Sequence, residues 1–269
     1  MRIALGLEYD GSGFCGWQTQ ARSVRTIQPE VEAALTRVAA QAVVLHCAGR
    51  TDTGVHASYQ VVHFETSAQR SPRSWVLGAN ANLPPDIAVL WARPVADDFH
   101  ARFSAHSRSY AYVISNRRTR PGLWRGKITW ECRPLDPEAM AAAASYWLGE
   151  HDFSSFRAHG CQSRHPIRTV HRCEVEADDQ CIVITVEANA FLQHMVRNFA
   201  GVLLEIGCGQ RPPIWAKEVL RARARVAAGI TAPPHGLYLT AVNYSPHFDL
   251  PPPSRTRPVL PSYSGPPFD

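Results

Sequence analysis

In Gly49-Arg50-Thr51-Asp52-Thr53-Gly54-Val55-His56-Ala57 a guanidinium and a carboxylate stand two residues apart, in a glycine-bounded loop between two apolar runs. Such a carboxylate can serve as a nucleophile, as a base, or as a stabiliser of developing positive charge. A neighbouring cation keeps it ionised when it is partly buried. The same residues also make a good turn, in which an Asp commonly bonds its own backbone. His56 is near enough to act as a base, but no serine or cysteine nucleophile is arranged with it, so a structural hydrogen bond is expected there. Gly11-Ser12-Gly13-Phe14-Cys15-Gly16 fits the dinucleotide fingerprint G-x-G-x-x-G. No helix opens at these glycines to meet a pyrophosphate, so the match is rejected in favour of a glycine-rich surface loop that can lie on a ligand.

Two further side chains lie far along the chain. Tyr110 alternates onto one face of a strand with Arg108 and Tyr112, where an aromatic ring is ordinarily core. Arg197 belongs to a strongly apolar helical stretch and shares a face with His194 and Asn198. An arginine there either snorkels to solvent or reaches an anion such as Asp52 or a phosphate. Arg117, Arg118, Arg120, Arg125 and Lys127 fall in one loop, and Arg164, Arg168 and Arg172 in another segment; both groups can track a phosphate backbone. Arg221, Arg223 and Arg225 diverge around a helix and read as solvated surface.

Hydrophobic periodicity predicts a strand over 2–9, a turn at Arg22-Ser23-Val24-Arg25 and a helix from Ile27 or Pro29. A buried strand over 42–48, a strand over 59–64, a helix over 72–81 and a strand over 87–91 follow. That order is the ferredoxin-like βαββαβ pattern. Near residue 105 it restarts, with strands over 108–115 and 127–132 and a helix over 137–148. A hairpin (167–175 and 181–188) turns at Asp178-Asp179-Gln180, before helices over 191–206 and 214–225 and a last strand over 238–244. The expected domains are 1–104, 105–245, and a proline-rich tail, 246–269, that is extended or disordered.

A chain of 269 residues with a net charge of +5 can bury its own core and suits a polyanionic partner without requiring one. Seven scattered cysteines without a C-x-x-C pair argue against a zinc site or a disulfide scaffold and favour a reducing cytoplasm. Neither a secretory leader nor an apolar run of membrane-spanning length is present in the sequence as given, so a soluble protein is expected.

The motif around Asp52 resembles that of the TruA-type tRNA pseudouridine synthases, departing from it only at Thr53, where alanine is expected. The likeness extends through Tyr9-Asp10-Gly11-Ser12, Gly16-Trp17-Gln18, Asn82-Leu83-Pro84 and Phe99-His100-Ala101-Arg102. It continues in Tyr110-x-Tyr112, Asp152 to Arg157, Ala188-Asn189-Ala190-Phe191, His194 to Asn198, and Gly236-Leu237-Tyr238-Leu239. The resemblance implies an α+β fold of two ferredoxin-like (RRM-like) halves sharing a mixed, mainly antiparallel sheet, with helices on one side and a central cleft. It implies that uridine in the anticodon stem-loop of tRNA is isomerised without metal, nucleotide or other cofactor, by a cytoplasmic homodimer. Carried over, Asp52 is the catalytic nucleophile, although attack on the sugar and action as a base on it both remain open. Arg50 positions Asp52 or holds the flipped nucleotide, Tyr110 stacks on the base, Arg197 pairs with Asp52, and Leu237 lines the pocket. Two other classes fit less well: a non-catalytic RNA binder has no need of the Arg50-Asp52 arrangement, and a glycoside hydrolase needs a second carboxylate, for which Glu8 and Asp10 are the only nearby candidates.

Overall fold

The computed structural model describes residues 1–21, 24–178 and 181–253. Its elements in chain order are β1 (Arg2–Tyr9), α1 (Ile27–Ala39), β2 (His46–Cys47), β3 (His56–Glu65), α2 (Pro72–Asn82), β4 (Ile87–Val95), β5 (Ala105–Asn116) and β6 (Thr129–Glu131). There follow α3 (Pro137–Ala144), β7 (Gly149–Asp152), β8 (Ile167–Ala177), β9 (Cys181–Ala188), α4 (Met195–Gly207), α5 (Trp215–Ala222) and β10 (Leu237–Tyr244). The result is a mixed α+β architecture whose strand pairs are mostly antiparallel. The chain divides into two units, one formed by Met1–Arg108 and the segment beginning at Tyr238, the other by Ser109–Leu237.

In the first unit the strand order is β4-β1-β3-β10, with β2 on β3. β1 pairs antiparallel with both β3 and β4, so it is enclosed on both edges, and Ile3 to Leu7 are buried. β10 runs parallel to β3, Tyr238 opposite His56 and Leu239 opposite Ala57. α1 buries Ile27, Val31, Ala34 and Leu35, the i, i+4, i+7, i+8 stripe of an amphipathic helix. α2 begins at a Ser71 cap followed by Pro72 and buries Trp75 edge-on against Phe64. Burying a side chain of that size contributes roughly 2–3 kcal/mol.

The second unit orders its strands β5-β9-β8-β7, with β6 parallel to β5. Its core is aromatic: Trp147 stacks on Phe199 of α4 at 4.2 Å between ring centroids, and Phe153 and Phe156 close around them. α4 is buried over most of its circumference, as its apolar composition requires. Gly201 allows this, because a Cβ there would sit 2.0 Å from the Ile230 carbonyl oxygen. The 229–232 segment therefore lies directly on the helix.

Several expectations need correction. The buried strand over 42–48 contracts to His46–Cys47. Val43 and Leu45 are buried and Val44 is exposed, as in a strand. Their N–H groups, however, bond Thr36 Oγ1 (3.2 Å) and Glu32 Oε1 (2.9 Å), so side chains of α1 replace a sheet partner. The apolar helix starts at Met195 rather than 191, because His194 takes a left-handed backbone (φ 62°). The helix expected over 214–225 ends at Ala222, again at a left-handed residue, Arg223. The strand over 127–132 is Thr129–Glu131, and helix 137–148 finishes as a 3-10 turn, Ser145–Trp147. β7, Gly-Glu-His-Asp, has no hydrophobic signature and was not expected; pairing with β8 makes it. Parts of the Arg22-Ser23-Val24-Arg25 and Asp178-Asp179-Gln180 turns, and the tail beyond residue 253, lie outside the described residues.

Candidate active site

Asp52 sits in the connection between β2 and β3, partly buried, and almost every backbone group around it is held by the first unit. At the upstream end, Arg108 Nε and Nη2 donate to the Ala48 carbonyl (3.3 and 3.1 Å). Both backbone groups of Gly49 bond the single amide of Gln60, which is wholly buried in β3 (N–H to Oε1 3.4 Å, Nε2 to carbonyl 2.5 Å). Thr51 Oγ1 meets the Tyr9 hydroxyl at 2.9 Å, and Trp17 N–H donates to the Thr51 carbonyl at 3.0 Å. Beyond Asp52 the chain turns back, with Val55 N–H on the Asp52 carbonyl (3.1 Å) and Gly54, at φ 75°, donating to Phe14 (3.3 Å). The turn reading of Thr51-Asp52-Thr53-Gly54 is thus correct for the backbone, and it leaves the carboxylate on a rigid support.

Much of this support comes from the glycine-rich segment. Gly11, Phe14 and Trp17 are buried, so the segment is no exposed loop over a ligand; it lies against residues 51–55. A Cβ on Gly11 would fall 1.9 Å from the Val55 carbonyl oxygen. One on Gly16, at φ +91°, would fall 2.9 Å from that of Thr51. The carbonyls of Gly16 and Trp17 accept from Ile27 and Gln28 N–H (3.1 and 3.0 Å), satisfying the orphan donors that open α1. Those are the donors a pyrophosphate would need, which is the structural reason for the failed dinucleotide match. Arg25 braces the far side, bidentate on Asp86 (2.8 and 3.0 Å) and over the Phe14 ring, and Asp86 raises its pKa.

His56 is 2% exposed, stacked on Tyr238, and its Nδ1 accepts from Gly11 N–H at 3.0 Å. An Nδ1 that accepts carries no proton, so its 3.1 Å approach to Asp10 Oδ1 is not a charged pair in that tautomer. This is the structural hydrogen bond expected of it. Arg50, by contrast, is exposed and makes no hydrogen bond or ion pair among the described residues.

The remaining candidates belong to the second unit. Tyr110 is 8% exposed, its ring edge-on to Phe191 at 5.0 Å. Arg197 is partly buried in the first turn of α4, with Nε on the Ala232 carbonyl (2.9 Å) and its own carbonyl accepting from Ala232 N–H (3.1 Å). The next carbonyl, Pro233, accepts from Tyr112 Oη (2.8 Å), which also meets Thr129 Oγ1 (2.7 Å). Burial raises the Tyr112 pKa far above its ordinary value, a shift Thr129 and then Arg197 partly oppose, so it remains a hydroxyl donor. Leu237 is buried directly after Gly236, where a Cβ would meet the Val113 carbonyl oxygen at 2.4 Å. Arg197 and Tyr112 therefore hold the run that ends at Leu237, a structural duty that sequence reasoning missed. Tyr9, Gln60 and Gly16 were likewise missed as braces of the Asp52 loop. Tyr9 and Gly16 carried a signal only as members of Tyr9-Asp10-Gly11-Ser12 and Gly16-Trp17-Gln18, and Gln60 carried none. A cavity of about 350 Å³ in the first unit is lined by Arg2, His46, His63, Glu65 and His100 among others, and by none of residues 49–57.

A family model described as tRNA pseudouridine synthase matches residues 7–104 and 143–245. The tRNA pseudouridine synthase A of Nitrosococcus oceani is 57% identical over 251 residues, covering 93% of this chain and 96% of that protein. Those of Coxiella burnetii and Alcanivorax borkumensis are 55% and 53% identical over 250 residues, each covering 93% of this chain and 95% and 94% of theirs. Among solved structures, a chain of the archaeal box H/ACA sRNP Nop10-Cbf5 complex aligns at TM-score 0.34 and 12% identity, over 75% of this chain and 44% of that one. That alignment is too loose to bear on fold or function.

Proposed function

The chain belongs to the tRNA pseudouridine synthases, and from that premise we propose that it isomerises uridine in the anticodon stem-loop with Asp52 as the catalytic group. The N1–C1′ bond breaks, the uracil turns, C5 bonds to C1′, the C5 proton leaves and N1 gains one. The observation that carries this reading is the immobilised loop: a partly buried carboxylate whose upstream neighbours are pinned by Arg108, Gln60, Tyr9 and Trp17, and whose downstream turn is held on the Phe14 carbonyl. Whether it adds to C1′ or takes a proton from the sugar, Asp52 must be ionised and held within a fraction of an ångström.

In this proposal Arg50 holds the flipped nucleotide, in keeping with an exposed guanidinium that makes no hydrogen bond or ion pair among the described residues. Tyr110 stacks on the extruded base, Leu237 lines the pocket, and Arg197 is the ionic partner of Asp52. Extruding a paired uridine costs a few kcal/mol, which stacking and arginine contacts offset. The strand order β4-β1-β3-β2 supports a ferredoxin-like first half, and we extend that fold to residues 105–245, with a homodimer acting in the cytoplasm. No described helix is long and apolar enough to cross a membrane.

The decisive experiment is conversion of tRNA uridines by purified protein without added cofactor. Asp52→Ala abolishes conversion if the assignment holds, and wild-type conversion by that variant sinks it. Arg197→Met lowers kcat with little change in KM, and Arg197→Lys recovers part of the loss; a pure KM effect would remove Arg197 from the reaction.

A further inference from the structure

Five cations and no acid occupy residues 117–127 of the second unit: Arg117, Arg118, Arg120, Arg125 and Lys127. Here the chain folds into one wall of a cavity of about 190 Å³, lined among others by Arg120, Trp124, Arg125, Thr129, Trp130 and His235. This is smaller than the roughly 300–1,000 Å³ pockets that enclose whole small molecules, and it is of a size for one planar ring system. Trp130 is 41% exposed, and its Nε1 donates to the Arg117 carbonyl at 2.8 Å, which fixes the indole plane. Thr129 and Pro233, which also line the cavity, are tied together through Tyr112 Oη, so this part of the lining is preformed. Arg120 and Arg125 are exposed, and among the described residues neither guanidinium has a hydrogen bond or ion pair.

Two indoles around a slot and two unpartnered guanidiniums at its rim are what a single-stranded nucleotide needs: an aromatic platform for the base and cations for the phosphates on either side. A small apolar ligand would have no use for the arginines, and a protein partner would need acids to face five positive charges. We propose that this pocket binds one unpaired RNA base other than the uridine being isomerised, stacked on Trp124 and Trp130, with Arg120 and Arg125 on its flanking phosphates. The proposal rests on the tRNA-modifying function, and wild-type conversion tests that function separately. The pocket acts in substrate capture: it supplies affinity and places the RNA, while the reacting atoms are served elsewhere.

The experiment measures tRNA affinity by filter binding over a range of salt, together with kcat and KM, for Trp124→Ala, Trp124→Phe and the Arg120→Ala/Arg125→Ala pair. Losing the stack weakens binding on the order of 10- to 100-fold and leaves the salt dependence unchanged, whereas Trp124→Phe recovers most of the affinity. Losing both arginines lowers the slope of log affinity against log salt by about 1.4, at about 0.7 per single-strand phosphate contact. In every variant KM rises and kcat at saturating tRNA holds. The arginine pair is exposed, so that variant reads binding even if Trp124→Ala folds poorly. A fall in kcat at saturation would place the reacting uridine here and overturn the proposal. So would unchanged affinity and salt slope, or a changed sedimentation state with normal tRNA binding, which would make this face a contact between copies of the chain.

Discussion

Gly16→Ala, set against Gly209→Ala, separates the cost of a backbone conformation from the cost of disturbing the Asp52 loop. Both glycines have left-handed φ, +91° and +74°, but a Cβ at Gly209 meets nothing within 4 Å. A left-handed φ costs a residue with a side chain roughly 1–2 kcal/mol, and the loss of unfolded-chain freedom returns about 0.4–1 kcal/mol. Gly209→Ala should therefore destabilise by about 1 kcal/mol and leave the reaction untouched. At Gly16 the new Cβ lies 2.9 Å from the Thr51 carbonyl oxygen and 3.2 Å from the Asp52 carbonyl carbon; reaching the ordinary 3.4 Å means a backbone shift of about 0.5 Å. Overpacking of that kind adds roughly 1–3 kcal/mol, for a total near 2–4 kcal/mol. Since a misplacement of about 1 Å can cost 10²-fold in rate, half that shift should slow the chemical step about tenfold. Urea unfolding reads the first quantity. Single-turnover release of isotope from uridine C5, with enzyme in excess, reads the second. If Gly16→Ala loses no more stability than Gly209→Ala and reacts at the wild-type rate, the glycine segment does not position Asp52.

Two other outcomes follow from buried polar groups. Burial, then His100, His46 and Arg2, lowers the His63 pKa from 6.5 to about 4. The unfolded chain takes up this proton at a pH where the native chain does not, so stability is full above 6.5 and falls as pH drops toward 4. Because the ring borders an open cavity, about 1–2 kcal/mol is at stake. His63→Gln, which keeps an acceptor for Ala101 N–H, should flatten urea midpoints across that window; an unchanged slope would exclude His63 as its source. Asn198, wholly buried, donates to the Phe156 carbonyl (2.7 Å) and accepts from Thr231 and Arg225 (2.6 and 3.1 Å). Asn198→Ala should cost about 2–4 kcal/mol by urea unfolding, and a loss below about 1 kcal/mol would show that these groups find other partners.

Elements whose signal is local were legible in the chain. The helix from Ile27 and the strands over 2–9 and 87–91 stand close to where periodicity placed them, because a stripe of buried residues records which face meets the core. Legibility failed where the partner is distant. Residues 42–48 carry a strand's alternation, yet Glu32 and Thr36 take the N–H groups a strand would have offered to its neighbour. Phe191 and Leu192 look like helix, but they are apolar because one meets Tyr110 and both pack in the fold, while His194 turns the backbone the wrong way for a helix. β7 is polar throughout and exists only by pairing.

The candidate site divides along the same line. Asp52, its glycine-bounded loop and the family were all in the sequence, because a motif and a turn are written in a few consecutive residues. That Tyr9, Trp17, Gln60 and Arg108 hold that loop, that Gly11 and Gly16 are glycines to let two backbones touch, and that Arg197 also clamps the Ala232 carbonyl were decided by tertiary structure alone. A hydrogen bond between residues 42 or 60 positions apart leaves no periodic trace in a single chain. It depends on the packing that brings its ends together, so the motif can be read from the order of residues while its support cannot.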